Sequence, residues 1–251
     1  MALLEIQNLT KSFYGIPAVD HLNLSIERGE VTGLIGPNGS GKTTIFNCIT
    51  RHLESDEGVI LFKGKDITHT APYRLALSGL TRTFQTIRVF SELTVLENLL
   101  VALQQHQEDS VISRLLRSPS IRKFERVARE KADEALEFVE LTYVRDLKAG
   151  HLSYGQRKLL ALASCFVFEP DIILLDEPTA AVNPTMINKI KEHIRILNQK
   201  GITFFIIEHN MEFIMDLARR IIVLEQGQKI AEGEPRDIQT NEMVLEAYFG
   251  R

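Results

Sequence analysis

Short runs of aliphatic residues recur along the chain and predict the strands of a buried sheet. Three such runs have few polar positions, as strands do when both faces of a parallel sheet are covered. They are Val31 to Ile35, Ile172 to Leu175 and Thr203 to Ile207. Between the last two runs there is room for one helix, at about Pro184 to Gln199. This alternation predicts an α/β fold whose core sheet is mostly parallel.

The N-terminal third shows a different pattern, in which apolar and polar residues alternate between glycine-containing turns. Residues 3–13, 21–31 and 58–68 have this character, and the turns fall near residues 15–17, 28–30 and 63–65. They predict an antiparallel β subdomain interleaved with the first parallel strand. Near the C-terminus, Arg220 to Glu225 and Gln228 to Ala231 predict a hairpin around Gly227.

From about residue 87 to residue 150 the apolar spacing becomes helical. Asn98 to Gln105 and Lys123 to Leu141 carry apolar residues at helix spacing, the second among dense charges. We therefore expect a single domain, residues 1–251. Within it, residues 1–86 and 158–251 form the catalytic core with its antiparallel layer, and residues 87–157 form an inserted α-helical subdomain.

Composition narrows the function classes. The chain has 251 residues, 44% of them hydrophobic, which is enough for a sizeable core. Its 29 basic and 33 acidic residues give a net charge of −4, which argues against nucleic acid as a main partner. The longest apolar run, Leu159 to Phe168, is too short to span a bilayer, and the N-terminus lacks signal-peptide features. Cys48 and Cys165 are expected to be reduced core residues of a cytoplasmic protein.

One glycine-rich segment has the pattern of a phosphate-binding loop. Gly36 to Thr43 reads GPNGSGKT, which matches G-x-x-x-x-G-K-[ST] between an apolar strand and an apolar helix start. Such a loop turns backbone N–H groups toward an anion at a helix N-terminus. Lys42 is expected to reach the β- and γ-phosphates, and the Thr43 hydroxyl to hold Mg²⁺. The predicted nucleotide contacts are Asn38, Gly39, Ser40, Gly41, Lys42, Thr43 and Thr44.

Polar residues at the ends of two other core strands complete a candidate hydrolytic site. Asp176 is expected to hold Mg²⁺ through water, and Glu177 to orient and deprotonate the attacking water. The alternative is that these carboxylates only cap the following segment. His209 follows the run ending at Ile207 and is interpreted as a sensor of the γ-phosphate. The amide of Gln85 is expected to touch both Mg²⁺ and that water.

The order of these motifs over nearly the whole chain resembles the nucleotide-binding subunit of an ABC transporter, which implies a RecA-like P-loop core. The pentapeptide LSYGQ, residues 152–156, is similar to the signature that distinguishes this family from other phosphate-loop enzymes. Four segments resemble the ATPases of high-affinity branched-chain amino-acid importers, in particular the longer of their two ATPase subunits. These segments are RTFQ, LTVLENLLVA, EPTAAVNP and IIEHNM. Urea or amide importers and lipopolysaccharide-type exporters are the alternatives.

The resemblance also implies roles that the residues alone do not give. Phe13 or Tyr14 would stack on adenine, unless Phe13 is simply core. Ser153, Gly155 and Gln156 would contact the ATP held by an opposite subunit. Tyr154 stands where the commonest signature has glycine, and Asn183 stands where many relatives have aspartate, so an argument from a negative charge fails there.

The same resemblance implies the surroundings of the protein. It implies ATP and Mg²⁺ as cofactors, transmembrane permease subunits as partners, a second ATPase subunit that is identical or paralogous, and indirectly a periplasmic or extracellular substrate-binding protein. The chain would be peripheral on the cytoplasmic face of the inner or cell membrane. A non-transport cassette ATPase and a small-molecule P-loop kinase are alternatives from other classes; a kinase has no use for LSYGQ.

Overall fold

The computed structural model describes residues 2–83, 89–104 and 119–249. They pack into two compact units, one made of residues 2–83, 170–180 and 184–249, the other of residues 89–104, 119–169 and 181–183. Within the described residues, no helix is both long enough and apolar enough to cross a membrane.

The first unit contains two sheets, and both were predicted. A four-stranded antiparallel sheet has the order β2-β1-β4-β5, and a six-stranded sheet has the order β10-β9-β3-β8-β7-β6. In the second sheet only the β9–β10 pair is antiparallel. The strands are β1 (Ala2–Phe13), β2 (Ile16–Glu27), β3 (Val31–Ile35), β4 (Glu57–Phe62), β5 (Lys65–Asp66), β6 (Leu80–Arg82), β7 (Ile172–Asp176), β8 (Thr203–Ile207), β9 (Arg220–Glu225) and β10 (Gln228–Gly233).

The core of this unit contains side chains from both sheets and from the helix after the phosphate loop. Every residue of β3, β7 and β8 is buried, as their continuous apolar runs predicted. The rings of Phe46 and Phe205 lie 5.0 Å apart and join that helix to β8. The helices of the unit are α1 (Lys42–Ile49), α2 (Pro72–Leu77), α6 (Pro184–Gln199), α7 (Met211–Leu217), α8 (Pro235–Thr240) and α9 (Glu242–Phe249).

The first hairpin shows where turn chemistry changed the predicted boundaries. Tyr14 and Gly15 both have positive φ, 52° and 82°, which is the backbone of a two-residue turn that matches strand twist. The turn therefore contains only these two residues, and Ile16 and Pro17 already belong to β2. Pro17 is tolerated there because β2 is the edge strand.

The second unit is helical, as predicted, but its helices begin and end at different residues. It contains α3 (Val95–Ala102), α4 (Pro119–Phe138) and α5 (Tyr154–Phe166), with 3-10 turns at Thr142–Val144 and Ala149–His151. Helix α3 begins before the predicted Asn98 because Thr94 and Glu97 form a reciprocal capping box. Helix α4 ends before the predicted Leu141, and Glu140 then adopts a left-handed φ of 57°.

Candidate active site

Three neighbouring parallel strands end at one edge of the main sheet, and each is followed by a segment that the sequence analysis selected. Strand β3 leads into the phosphate loop, β8 leads into Glu208 and His209, and β7 ends at Asp176 before Glu177. Their order across the sheet is β3-β8-β7. Ligands of open α/β sheets bind at this carboxyl edge, so the topology assembles one site from three distant segments.

The phosphate loop leads into a helix whose N-cap residue has no side chain to cap it. Gly41 is the N-cap of α1, has a left-handed φ of 99° and offers no side chain to the first-turn N–H groups. A Cβ atom at Gly41 would lie 2.3 Å from the Ala18 carbonyl oxygen, so the position requires glycine. The first turn of α1 therefore has no side-chain cap at its N-terminus, which is the arrangement that an anion-binding helix start requires.

Lys42 is held inside the loop. Its side chain is almost fully buried, and Nζ donates hydrogen bonds to the carbonyl oxygens of Gly36 and Pro37, both at 2.8 Å, and to Ser40 Oγ at 3.2 Å. Burial lowers the pKa of Lys42, while the nearby carboxylates of Glu177 and Asp176 act to raise it. The ammonium group thus lies inside the loop, where phosphate oxygens can replace the carbonyl acceptors.

Asp176 pairs with an arginine to which the sequence analysis gave no role. Arg82 Nη2 lies 2.7 Å from Asp176 Oδ2, and both side chains are at most 5% exposed. Arg82 Nη1 donates to Asn47 Oδ1 at 2.8 Å and to Thr50 Oγ1 at 3.1 Å, both on or next to α1. Arg82 therefore ties the end of β7 to the helix that follows the phosphate loop. Arg82 ends β6, the edge strand beside β7, so the signal available in the sequence was a cation at the end of a strand.

Replacing Arg82 with alanine should destabilise the protein strongly. The change leaves the buried Asp176 carboxylate without its guanidinium partner, and breaking such a pair costs about 3–5 kcal/mol. Urea unfolding in metal-free buffer measures this loss. Arg28→Ala is the matched control, because its pair with Asp171 is half-exposed and such pairs are worth about 1 kcal/mol or less. Equal losses in the two variants would contradict the structural role given to Arg82.

Glu177 and His209 face each other across the ends of β7 and β8. His209 Nε2 lies 3.2 Å from Glu177 Oε1, with the carboxylate 19% and the imidazole 39% exposed. The backbone of Glu177 has a left-handed φ of 50°, which is strained for a residue with a side chain. Such strain gathers at active sites, and here it aims a carboxylate beside an imidazole at the phosphate-loop edge of the sheet. The alternative that these acids serve only as local caps does not explain this pairing.

The two aromatic candidates for adenine stacking are both on the surface. Phe13 is 43% exposed at the end of β1, and Tyr14 is fully exposed in the following turn. The alternative interpretation of Phe13 as a core residue is wrong, because the strand reaches its exposed tip there. Lys11 Nζ lies 5.8 Å from the Phe13 ring centre, so a cation accompanies the ring.

The signature residues begin a helix in the second unit. Ser153 Oγ accepts a hydrogen bond from the Gln156 N–H at 3.3 Å, and Gln156 Oε1 accepts one from the Ser153 N–H at 2.8 Å. This reciprocal capping box starts α5. Gly155 lies in the first turn of that helix. Gln156 Nε2 also donates to Tyr143 Oη at 2.7 Å. Ser153 is exposed, so its hydroxyl caps the helix and still faces solvent.

The residue that replaces the commoner signature glycine lies over its own helix. The Tyr154 ring has Arg157 Cζ at 5.9 Å and Lys158 Nζ at 5.7 Å from its centre. These cations hold the ring along α5.

Asn183 lies in the second unit, while Gln85 lies outside the described residues.

Comparison with known proteins identifies the family of the chain. The family model described as ABC transporter matches residues 19–180. The chain is 39% identical over 99% of its length to the high-affinity branched-chain amino acid transport ATP-binding protein BraF of Pseudomonas aeruginosa, covering 98% of that protein. It is equally identical, with the same coverage of both chains, to the corresponding protein LivG of Escherichia coli.

Solved structures give the same result for the fold. The ADP conformation of MJ1267, an ATP-binding cassette of an ABC transporter, is 40% identical with a TM-score of 0.86, and each chain is fully covered. A dimeric post-hydrolysis state of the cassette MJ0796 bound to ADP and Pi is 27% identical with a TM-score of 0.78, covering 93% of this chain and 99% of that one. The chain therefore belongs to the ABC transporter family and is an ATPase subunit of that family.

Proposed function

We propose that this ATPase subunit lies on the cytoplasmic face of the membrane and powers the import of branched-chain amino acids. The observation that carries the proposal is the full-length 39% identity to proteins named for that transport. Its partners are transmembrane permease subunits, a second ATPase subunit that is identical or paralogous, and indirectly a substrate-binding protein outside the membrane. Nucleic acid is not among them.

The residues of the sheet edge divide the work of hydrolysis. The loop amides and Lys42 hold the β- and γ-phosphates, with Asn38, Gly39 and Ser40 lining the loop. Glu177 orients the attacking water and accepts its proton, while His209 donates to the γ-phosphate. Gln85 contacts the same water, and Phe13 or Tyr14 stacks on adenine, a contact typically worth about 1–3 kcal/mol.

The donor set at this edge suits Mg²⁺. Asp176 supplies a carboxylate and Thr43 an exposed hydroxyl, and both are the hard oxygen ligands that Mg²⁺ takes together with substrate phosphates. Asp176 ends β7 at the same sheet edge as the phosphate loop, and its charge acts to raise the pKa of Lys42. When bound, the metal neutralises charge on the β- and γ-phosphates.

Each site is completed by a second chain. Ser153, Gly155 and Gln156 contact the ATP held by the opposite subunit, which is consistent with the exposed start of α5 and with the dimeric form of the MJ0796 cassette. Moving a mostly open population to a mostly closed one takes about 5.5 kcal/mol of differential binding. The γ-phosphate held from both sides supplies that difference, and hydrolysis removes it.

Transport in proteoliposomes tests the proposed substrate. The chain, its permease subunits and the substrate-binding protein are reconstituted, and uptake of labelled leucine and of labelled urea is followed with ATP inside. We expect ATP-dependent leucine uptake and no urea uptake. Uptake of urea without leucine, or outward movement of lipopolysaccharide, would replace the proposed substrate with one of the alternatives.

A further inference from the structure

Glu208 is a buried acid whose carboxylate is fully engaged by backbone donors. It follows β8 directly and is 2% exposed. Oε1 accepts a hydrogen bond from the Thr179 N–H at 2.8 Å, and Oε2 accepts one each from the N–H groups of His209 and Asn210, both at 2.9 Å. The three N–H donors need an acceptor with two oxygens, and an ionised carboxylate supplies both.

These three bonds join the two segments that carry the proposed catalytic pair. Thr179 lies in the turn that follows Glu177, and the Ala180 N–H closes that turn on the Glu177 carbonyl oxygen at 3.2 Å. On the other side, Asn210 Oδ1 accepts from the Phe213 N–H at 3.0 Å and starts α7. Glu208 thus connects the turn after β7 to the loop between β8 and α7.

The backbone of Glu177 needs such a connection. Its left-handed φ of 50° persists only where the surroundings fix it. Strand pairing fixes the N-terminal side, because the Glu177 N–H donates to the Ile207 carbonyl oxygen at 3.0 Å. The bond from Thr179 to Glu208 fixes the C-terminal side, two residues later.

We propose that Glu208 is a positioning residue for hydrolysis. It sets the separation of Glu177 and His209 by holding both of their backbone segments, and it does not touch the reacting atoms itself. This inference rests on the roles proposed above for that pair. The signal for Glu208 in the sequence is an acid directly after five buried strand residues.

The isosteric variant Glu208→Gln isolates this role. Whichever way the amide faces, its NH₂ group meets a backbone N–H, so at least one of the three bonds is lost while the volume is kept. We expect kcat for ATP to fall by about 10- to 100-fold, since a displacement on the order of 1 Å in a catalytic group can cost about 10²-fold. The KM for ATP should change by less than about threefold, because the phosphate loop is untouched.

A double-mutant cycle with Glu177→Gln separates positioning from a general loss of structure. If Glu208 acts through Glu177, adding Glu208→Gln to Glu177→Gln should lower the residual kcat by less than about twofold. Glu30→Gln is the matched control, because Glu30 pairs with Arg220 at the opposite edge of the sheet. It should leave kcat unchanged. If Glu208→Gln fails to fold, Glu208→Asp, which keeps the charge on a shorter side chain, replaces it in the cycle.

The outcomes distinguish this inference from the proposal beneath it. A slow Glu177→Gln with a Glu208 variant that turns over like the wild type would overturn the positioning role alone. A Glu208 effect that is equally large in both the Glu177→Gln and the His209→Ala backgrounds would also overturn it, since the loss would then act through neither side chain of the pair. Wild-type turnover in Glu177→Gln itself would remove the proposed base and the positioning role together.

Discussion

Glu177→Gln should reduce ATP hydrolysis by about 10²–10⁴-fold, the range for loss of a general base. The amide keeps the shape of the side chain beside His209 but cannot accept a proton from water. ATP binding should persist, because the loop and Lys42 are unchanged and one negative charge near the γ-phosphate is gone. The ATP-bound dimer should therefore last longer, which size-exclusion chromatography with ATP and Mg²⁺ measures.

Glu57→Gln is the control for removing a carboxylate elsewhere, because Glu57 is exposed on β4 of the antiparallel sheet. It should hydrolyse ATP at the wild-type rate. Wild-type turnover in Glu177→Gln would show that another group takes the proton, and the pairing of Glu177 with His209 would then have another purpose.

Ser153→Asp should abolish hydrolysis while leaving the fold intact. Aspartate caps helices as well as serine does, and its charge is favourable at the start of α5, so unfolding free energy should change by about 0.5 kcal/mol or less. In the closed dimer proposed above, the aspartate carboxylate would face the γ-phosphate held by the opposite subunit. Losing one aligned donor to a developing charge costs about 10²–10³-fold, and the repulsion adds to this.

Two further substitutions at Ser153 separate its capping from its proposed catalytic contact. Ser153→Thr keeps both the cap and the hydroxyl, so it should retain most of the activity. Ser153→Ala loses the cap and should cost about 1 kcal/mol of stability. Steady-state ATPase assays with thermal unfolding of the same samples give both quantities. If Ser153→Asp were as active as Ser153→Thr, the hydroxyl would not face a nucleotide.

The sequence predicted the buried strands well because burial on both faces leaves a continuous apolar run. The structure confirms two of these strands and one helix at the residues predicted: Val31 to Ile35, Thr203 to Ile207 and Pro184 to Gln199. It also confirms the C-terminal hairpin around Gly227. Boundaries set by caps and turns were less accessible. The start of α3 depends on a capping box, and the first hairpin depends on the backbone of Tyr14, neither of which changes the apolar pattern.

The candidate site shows the same division. The phosphate loop, Asp176, Glu177 and His209 could be selected because each is a polar residue or motif at the end of a buried strand. Cys48 and Cys165 were correctly predicted as buried, free thiols. Arg82 and Glu208 escaped notice because their importance lies in partners far away in sequence, Asp176 for one and the Thr179 backbone for the other. Periodicity carries no information about such pairs.

If each hydrolytic site is completed by a second chain, dilution should separate the chains and lower ATPase activity per molecule. ATPase activity per molecule is measured over a wide range of protein concentration for the wild type and for Ser153→Asp. Wild-type activity per molecule should rise with concentration toward a plateau, and Ser153→Asp should stay inactive throughout. Activity per molecule that is constant on dilution and unaffected by Ser153→Asp would contradict it.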